Sequence, residues 1–250
     1  MTTTAMNRTT TRRPLLIVAA LVVALGAGLW LWSGNAQLVH QPVSQPLGAA
    51  SSADVTITLN IGQLRIGALS QPNTLIAGDI SYVDSSSVTR DFAMRGDTAA
   101  FTLREQDSYA NSLIKQGNDA IIWDLRLNPA TPMRLTIATD VGNSMIDLAQ
   151  LHLTDLDLKS GVGNTTLTLP RQGHVQARVS GDVGNVTIRI PDGVAVRIES
   201  SAGLGDISVS GDYRRQGDVY VSPDFDTAAN RIDLHASSGI GAITIQPISE

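Results

Sequence analysis

The sequence predicts an all-β chain: a single-stranded β-solenoid standing behind one N-terminal membrane-spanning helix. Three observations carry this reading. Short glycine phrases recur every 21 residues, at Val141-Gly142-Asn143, Val162-Gly163-Asn164, Val183-Gly184-Asn185 and Leu204-Gly205-Asp206. A fixed period of this size marks units that bury their apolar faces only by stacking on their neighbours. Each phrase leads into a run of alternating apolar and polar residues, the period of a strand with one buried face. An uncharged apolar run, residues 14–32, precedes all of it.

That run, PLLIVAALVVALGAGLWLW, is 19 residues long. As a helix it would extend about 28 Å at ~1.5 Å per residue, enough to cross a hydrocarbon core about 30 Å thick. Arg8, Arg12 and Arg13 stand before it, and the next Arg is Arg65. An excess of positive charge on the first side places residues 1–13 in the cytoplasm and the rest of the chain outside the plasma membrane. The alternative is a cleaved export signal ending at Gly34-Asn35-Ala36, although the run is longer than the usual signal core. Both readings export the remainder of the chain. Residues 34–53 contain Pro, Gln, Ser and Ala without periodicity and read as a flexible linker.

The exported part, 54–250, divides into N-terminal strands (54–128) and a repeat part (129–250). Residues 55–66 alternate, with Val55, Ile57, Leu59 and Ile61 on one face, then Gly62, then Leu64 and Ile66. Residues 75–83 form the next strand, with Gly78 marking a bulge or bend. Arg95-Gly96-Asp97 separates two apolar stretches and reads as a hairpin turn; its match to an integrin-binding tripeptide has the same residues explained by turn chemistry. Residues 121–127 are a further strand, ended by Asn128-Pro129.

In the repeat part each unit holds two short strands and two turns. One turn is the glycine phrase. The other carries Pro170-Arg171-Gln172-Gly173 in one unit and Pro191-Asp192-Gly193 in the next, where Pro fixes φ and Gly supplies a positive one. The step from Gly205 to Gly241 is 36, one period plus 15, so residues 211–230 read as an irregular excursion before the last unit. That unit ends at Ile243-Thr244-Ile245-Gln246-Pro247, where Pro blocks further pairing and leaves an end that calls for a cap or partner. Gly62, Gly142, Gly163, Gly184, Gly205 and Gly241 are read as structural corners of the coil.

Composition narrows the function. The chain has 250 residues and a net charge of −5, and beyond the three N-terminal Arg residues 15 Lys and Arg face 23 Asp and Glu. That balance excludes a basic nucleic-acid footprint. There are no cysteines, hence no disulfide, thiol chemistry or Cys-bound zinc. No Gly-x-Ser-x-Gly or His-Glu-x-x-His phrase occurs. Asp155 and Asp157 share a strand face, the arrangement acid–base catalysis would need, but 20 Asp residues make such a pair commonplace. His152 and His174, 22 apart, could stack in adjacent units around a metal; the plainer reading is exposed polar positions. Gly-Asn and Gly-Asp phrases are similar to calcium-binding repeats, whose period is nine instead. Asn164-Thr165-Thr166 and Asn185-Val186-Thr187 fit a glycosylation pattern while also serving the turns. Arg178, Arg189 and Arg197 lie on polar strand faces and could align into an anion or glycan contact, or a solvated ladder with Asp.

The phrase Leu59-Asn60-Ile61-Gly62-Gln63-Leu64-Arg65-Ile66, then Trp123-Asp124-Leu125, Leu135-Thr136-Ile137, Gly142 and Ile146-Asp147-Leu148, resembles the toast-rack proteins, including the C-terminal domains of LiaF-like cell-envelope stress proteins, over residues 54–250. The resemblance implies a single-layer, coiled, all-β domain displayed at a bacterial membrane and associated with sensing or modulating envelope stress, often beside histidine kinases. Typical LiaF-like proteins have several spans where this chain has one. The family brings no catalytic residues. The expectation is therefore a membrane-anchored, non-enzymatic module with no cofactor or metal, whose partners are the membrane and envelope or sensor proteins. The alternatives are an adhesin-like domain binding glycan or wall polymer and, further off, a carbohydrate-active β-helix enzyme.

Overall fold

The computed structural model describes residues 37–106 and 121–248. The segments assigned to a cytoplasmic tail (1–13) and a transmembrane helix (14–33) lie outside the described residues. Among the described residues no helix is long and apolar enough to cross a membrane.

The strands, in chain order, are β1 (Leu38–Pro46), β2 (Ser52–Ile61), β3 (Gln63–Ala68), β4 (Thr74–Val83), β5 (Ser87–Arg95), β6 (Thr98–Gln106), β7 (Ile122–Leu127), β8 (Met133–Val141), β9 (Ser144–Asp147) and β10 (Leu153–Val162). They continue with β11 (Thr165–Thr168), β12 (His174–Val183), β13 (Val186–Pro191), β14 (Ala195–Leu204), β15 (Ile207–Val209), β16 (Arg214–Gln216), β17 (Val219–Val221), β18 (Arg231–Ile240) and β19 (Ile243–Ile248).

These strands form two sheets, so the expected single layer is corrected to two layers wound by one chain. One sheet has the order β1-β4-β7-β3-β9-β11-β13-β19-β15, the other β16-β17-β14-β18-β12-β10-β8-β2-β6-β5. Each turn of the coil puts a long strand in the second sheet and a shorter one in the first, with the glycine corner between them. The pairing along the stack is parallel. Alternation along the interior strands of the stack sends one row of side chains inward. Across the second sheet Leu103, Ile57, Ile137, Leu158, Val179 and Ala236 stand in register, and all are buried. Facing rows from the first sheet, such as Ile66, Ile146, Leu167, Ile188 and Ile245, complete one continuous core.

The order of turns in space departs from the order in sequence. The unit β18/β19 is inserted between β12/β13 and β14/β15. Ile240 pairs with both Val183 and Leu204, and Ile243 with both Val186 and Ile207. The expectation that Ile243 to Pro247 forms the open end is therefore overturned: Ile243 and Ile245 are interior, and the stack ends at β14/β15. Pro247 is tolerated because of strand parity. Ile243 donates its N–H to Asp206 and Ile245 accepts from Ser210, so odd positions face β15. Pro247 shares that side two residues on, beyond the last residue of β15, where no donor is needed.

The excursion at 211–230 is a lid on this end. β17 pairs antiparallel with β14, and β16 with β17. Ser222 takes the N–H of Val196 on its hydroxyl at 2.9 Å and gives its own N–H to the Val196 carbonyl. Phe225 is buried beneath the Arg197 guanidinium, whose carbon lies 4.2 Å from the ring centroid. Tyr213 and Tyr220 pack against the core from the same side.

At the opposite end the predicted linker is corrected. Residues 38–46 form β1, paired antiparallel with β4 along its length, and β2 already begins at Ser52. Pro42 and Pro46 hid this strand, because Pro is excluded from central strands; β1 is an edge, where a missing N–H costs nothing. No register shift occurs at Gly78, so it makes no bulge; a Cβ there would strike the Asp124 carbonyl of the neighbouring strand. The hairpin between β5 and β6 has the two-residue turn Gly96-Asp97, with φ +65° at Gly96. Asp97 is engaged by the fold: its carboxylate accepts the Ser51 hydroxyl at 2.8 Å and its carbonyl the Ser51 N–H. Glu105, which is buried, turns its carboxylate to the N–H groups of Asn60 and Ile61 at 3.1 and 3.4 Å, where the ladder from β6 stops.

Candidate interaction surface

The six corner glycines form one column. Gly62, Gly142, Gly163, Gly184, Gly241 and Gly205 have φ between +132° and +147°, a region closed to L side chains. A Cβ on Gly142 would strike the Gly62 carbonyl, one on Gly163 that of Gly142, one on Gly184 that of Gly163, one on Gly241 that of Gly184, and one on Gly205 that of Gly241. Close backbone approach, repeated at each turn, thus demands glycine twice over. Beside the column, Asn143 Oδ1 accepts the N–H of Asn164 at 3.0 Å, Asn164 that of Asn185 at 3.1 Å, and Asn185 that of Ala242 at 3.0 Å. These carbonyl oxygens are spent on the backbone. Among the described residues no group of three or more His, Asp or Glu could hold a metal ion.

The remaining chemistry lies on the outer face of the second sheet. Register places Arg134, Asp155, Gln176, Asp233 and Arg197 in one row across the strands. Its two acidic residues flank Gln176 and are each paired outward with an Arg: Arg134 stands 3.6 Å from Asp155, and Arg197 3.0 Å from Asp233 and 3.8 Å from Asp226. The next row holds Asp157, Arg178, His235 and Glu199, in which the His235 Nδ1–H donates to Glu199 Oε2 at 3.0 Å. The third row is Lys159, Ser180, Ser237 and Ser201. Three consecutive small hydroxyl residues beside longer charged ones leave a depression of about 380 Å³. Asp157, Lys159 and Arg178 rim it from β10 and β12, Glu199 and Asp218 from β14 and the turn before β17. The groove therefore has a net cationic side, an anionic side and a serine floor two strand spacings across, about 10 Å.

Several residues singled out in the sequence part company here. Asp155 and Asp157 do share this outer face, but Asp155 is turned to Arg134. Arg178 and Arg197 sit in different rows, and Arg189 lies in the other sheet in register with Thr168 and Gln246, so the three do not align. His174 is in register with Arg231, while His152 precedes β10 and packs near Gly173. His235, Glu199 and Asp218 were missed. Of these, His235 joins the groove because β18 is inserted beside β12, whereas Glu199 stands one 21-residue period beyond Arg178, as Arg178 does beyond Asp157. One signal was present: terminal repeats are the atypical ones, and the unit that runs into the polar excursion is shorter than the unit at the C-terminus.

The sequence pattern of the family described as the N-terminal domain of toast_rack, DUF2154, matches residues 34–189. The chain belongs to the toast-rack family. A second pattern, described as cell wall-active antibiotics response LiaF, C-terminal, matches residues 141–245 of this toast-rack chain. Among solved structures, a candidate cell adhesion protein from Clostridium sporogenes is 19% identical, with 85% of this chain and 100% of that chain covered and a TM-score of 0.77. A candidate adhesin from Bacteroides fragilis is 14% identical over 86% and 99% of the two chains, with a TM-score of 0.32. At such identity the first likeness establishes the shared fold and nothing of function. No curated protein matches the sequence.

Proposed function

We propose that this toast-rack protein is a non-catalytic interaction module of the bacterial cell envelope, anchored to the plasma membrane by residues 14–32 and acting in an envelope stress response by contacting envelope or sensor proteins. The observation that carries the reading is the groove over Ser180, Ser237 and Ser201, with its opposed charged sides. Its charges are presented on a rigid sheet at fixed spacings, and a rigid array suits recognition. The match to a cell wall-active antibiotics response family supports the envelope setting. So does the run of 19 uncharged residues preceded by three Arg.

The test is cross-linking in intact cells with subsequent recovery from the membrane fraction, comparing the native chain with a Lys159→Glu, Arg178→Glu variant. The reading expects a reproducible envelope protein that is lost from the variant. Recovery of none, or equal recovery from both, contradicts it. A second reading, a contact with glycan or wall polymer, is favoured by the hydroxyl floor, which suits sugar hydrogen bonding. Binding of the chain to a glycan array, abolished by the same variant, would select it.

A further inference from the structure

Among the described residues the stack has four sheet edges, and three are guarded. β1 carries Pro42 and Pro46, β5 carries Arg90, Asp91 and Arg95, and β16 carries Arg214 and Arg215. Prolines and charges of this kind prevent edge-to-edge pairing. β15 has neither: its residues are Ile207, Ser208 and Val209. It also exposes a core position. Ile207 is in register with Ile243 and Val186, which are 0% and 2% exposed, yet Ile207 is 37% exposed.

The backbone at this edge has a defined polarity. Asp206 and Ser210 bond inward to Ile243 and Ile245, so by the alternation of a parallel strand Ile207 and Val209 turn both their N–H and C=O groups outward. We propose that this edge pairs with the same edge of a second copy, antiparallel, about a two-fold axis at Ser208.

That register puts Ile207 opposite Val209 of the other copy in both directions. Two such pairs exchange four backbone hydrogen bonds, and Ser208 faces its own symmetry mate as the intervening non-bonded pair. Opposed residues in an antiparallel pair project to the same face, so Ile207 and Val209 from both copies extend the core face while the serines face out. Asp206 falls opposite Ser210, and no like charges oppose. Because the interface is isologous it closes at two copies, and the three-residue length of β15 prevents a longer ladder. So small an interface is weak in dilute solution. Confinement of the chain to a membrane surface would raise the effective concentration that favours it.

The absence of cysteine in the native sequence makes the test direct. Directly opposed residues of a non-hydrogen-bonded pair have Cα atoms about 4.5 Å apart, within disulfide reach. Full-length Ser208→Cys in membranes, oxidised mildly, is expected to cross-link to a dimer at least tenfold faster than full-length Thr187→Cys, which occupies the same outer row of the sheet two turns away. Adding Ile207→Asp to Ser208→Cys is expected to remove the advantage. Equal cross-linking of the two single variants, or cross-linking indifferent to Ile207→Asp, overturns the proposal. Neither result depends on the groove.

Discussion

Asn164 Oδ1 accepts the backbone N–H of Asn185 at 3.1 Å, one turn along the coil. The next unit repeats the bond, Ala242 N–H donating to Asn185 Oδ1, and in the previous one Asn164 N–H donates to Asn143 Oδ1. Asn is needed because the corner bends the strand ladder and leaves an N–H without its usual carbonyl; a short side-chain amide one turn back fills the place. Replacing Asn164 with Ala should lower unfolding free energy by about 1 kcal/mol, the net worth of one such bond. Urea denaturation measures this, and a loss indistinguishable from zero would deny the ladder any structural role.

The glycine column makes a stronger demand. Gly163 has φ +145° and no room for a Cβ against the Gly142 carbonyl, whereas Gly193 has φ +76° with nothing within 4 Å. Gly193→Ala should therefore cost only the left-handed penalty, about 1–2 kcal/mol. Gly163→Ala should cost about 4 kcal/mol or more, because both the backbone and the next turn would have to move. The two midpoints of denaturation, compared, check this; equal losses would show that φ alone matters.

The lid on the last turn rests on Phe225, which is buried under Arg197. Phe225→Ala should release residues 214–221 while leaving the interior turns closed. Hydrogen exchange would then accelerate in β16 and β17 but remain slow in β10 and β12. Uniform acceleration would mean that the lid and the stack unfold as one unit.

Tyr213 is half-buried in this lid, and loss of solvent raises its phenol above the ordinary value of 10.0. The folded protein thus holds this proton more tightly than the unfolded chain. Its contribution is intact below the unfolded value and is lost as pH rises through the folded one. The native chain should lose stability relative to Tyr213→Phe as pH is raised above about 10, while the difference between them stays constant at lower pH. Parallel stability curves across this range would contradict the burial of the phenol.

The period, the alternation and the corner phrases are legible in the sequence because each repeats. The column of glycines at 62, 142, 163, 184, 205 and 241 can be picked out one by one, but its order in space cannot. Periodicity says that a unit stacks; it does not say on which neighbour. Ile207-Ser208-Val209 and Ile243-Thr244-Ile245 have the same pattern, and either could succeed Val186-Thr187-Ile188. The strand at 38–46 is hidden because Pro42 and Pro46 are diagnostic only for central strands. The groove is partly legible, because Lys159, Ser180 and Ser201, like Asp157, Arg178 and Glu199, lie 21 residues apart; His235 and Ser237 are hidden, because they enter between β12 and β14 only through that order.

The insertion of β18 between β12 and β14 is the claim on which both the groove and the open edge at β15 depend. In the cysteine-free chain, pairs of Ser→Cys substitutions test it. Ser237 stands in register between Ser180 and Ser201 on the outer face. Neighbouring strands lie about 4.8 Å apart and alternate ones about 9.6 Å, on either side of the limit for a disulfide. Ser180→Cys with Ser237→Cys, and Ser201→Cys with Ser237→Cys, should each form an intramolecular disulfide, and Ser180→Cys with Ser201→Cys should not. A disulfide between positions 180 and 201, with none between 180 and 237, would place the turns in sequence order and contradict the account.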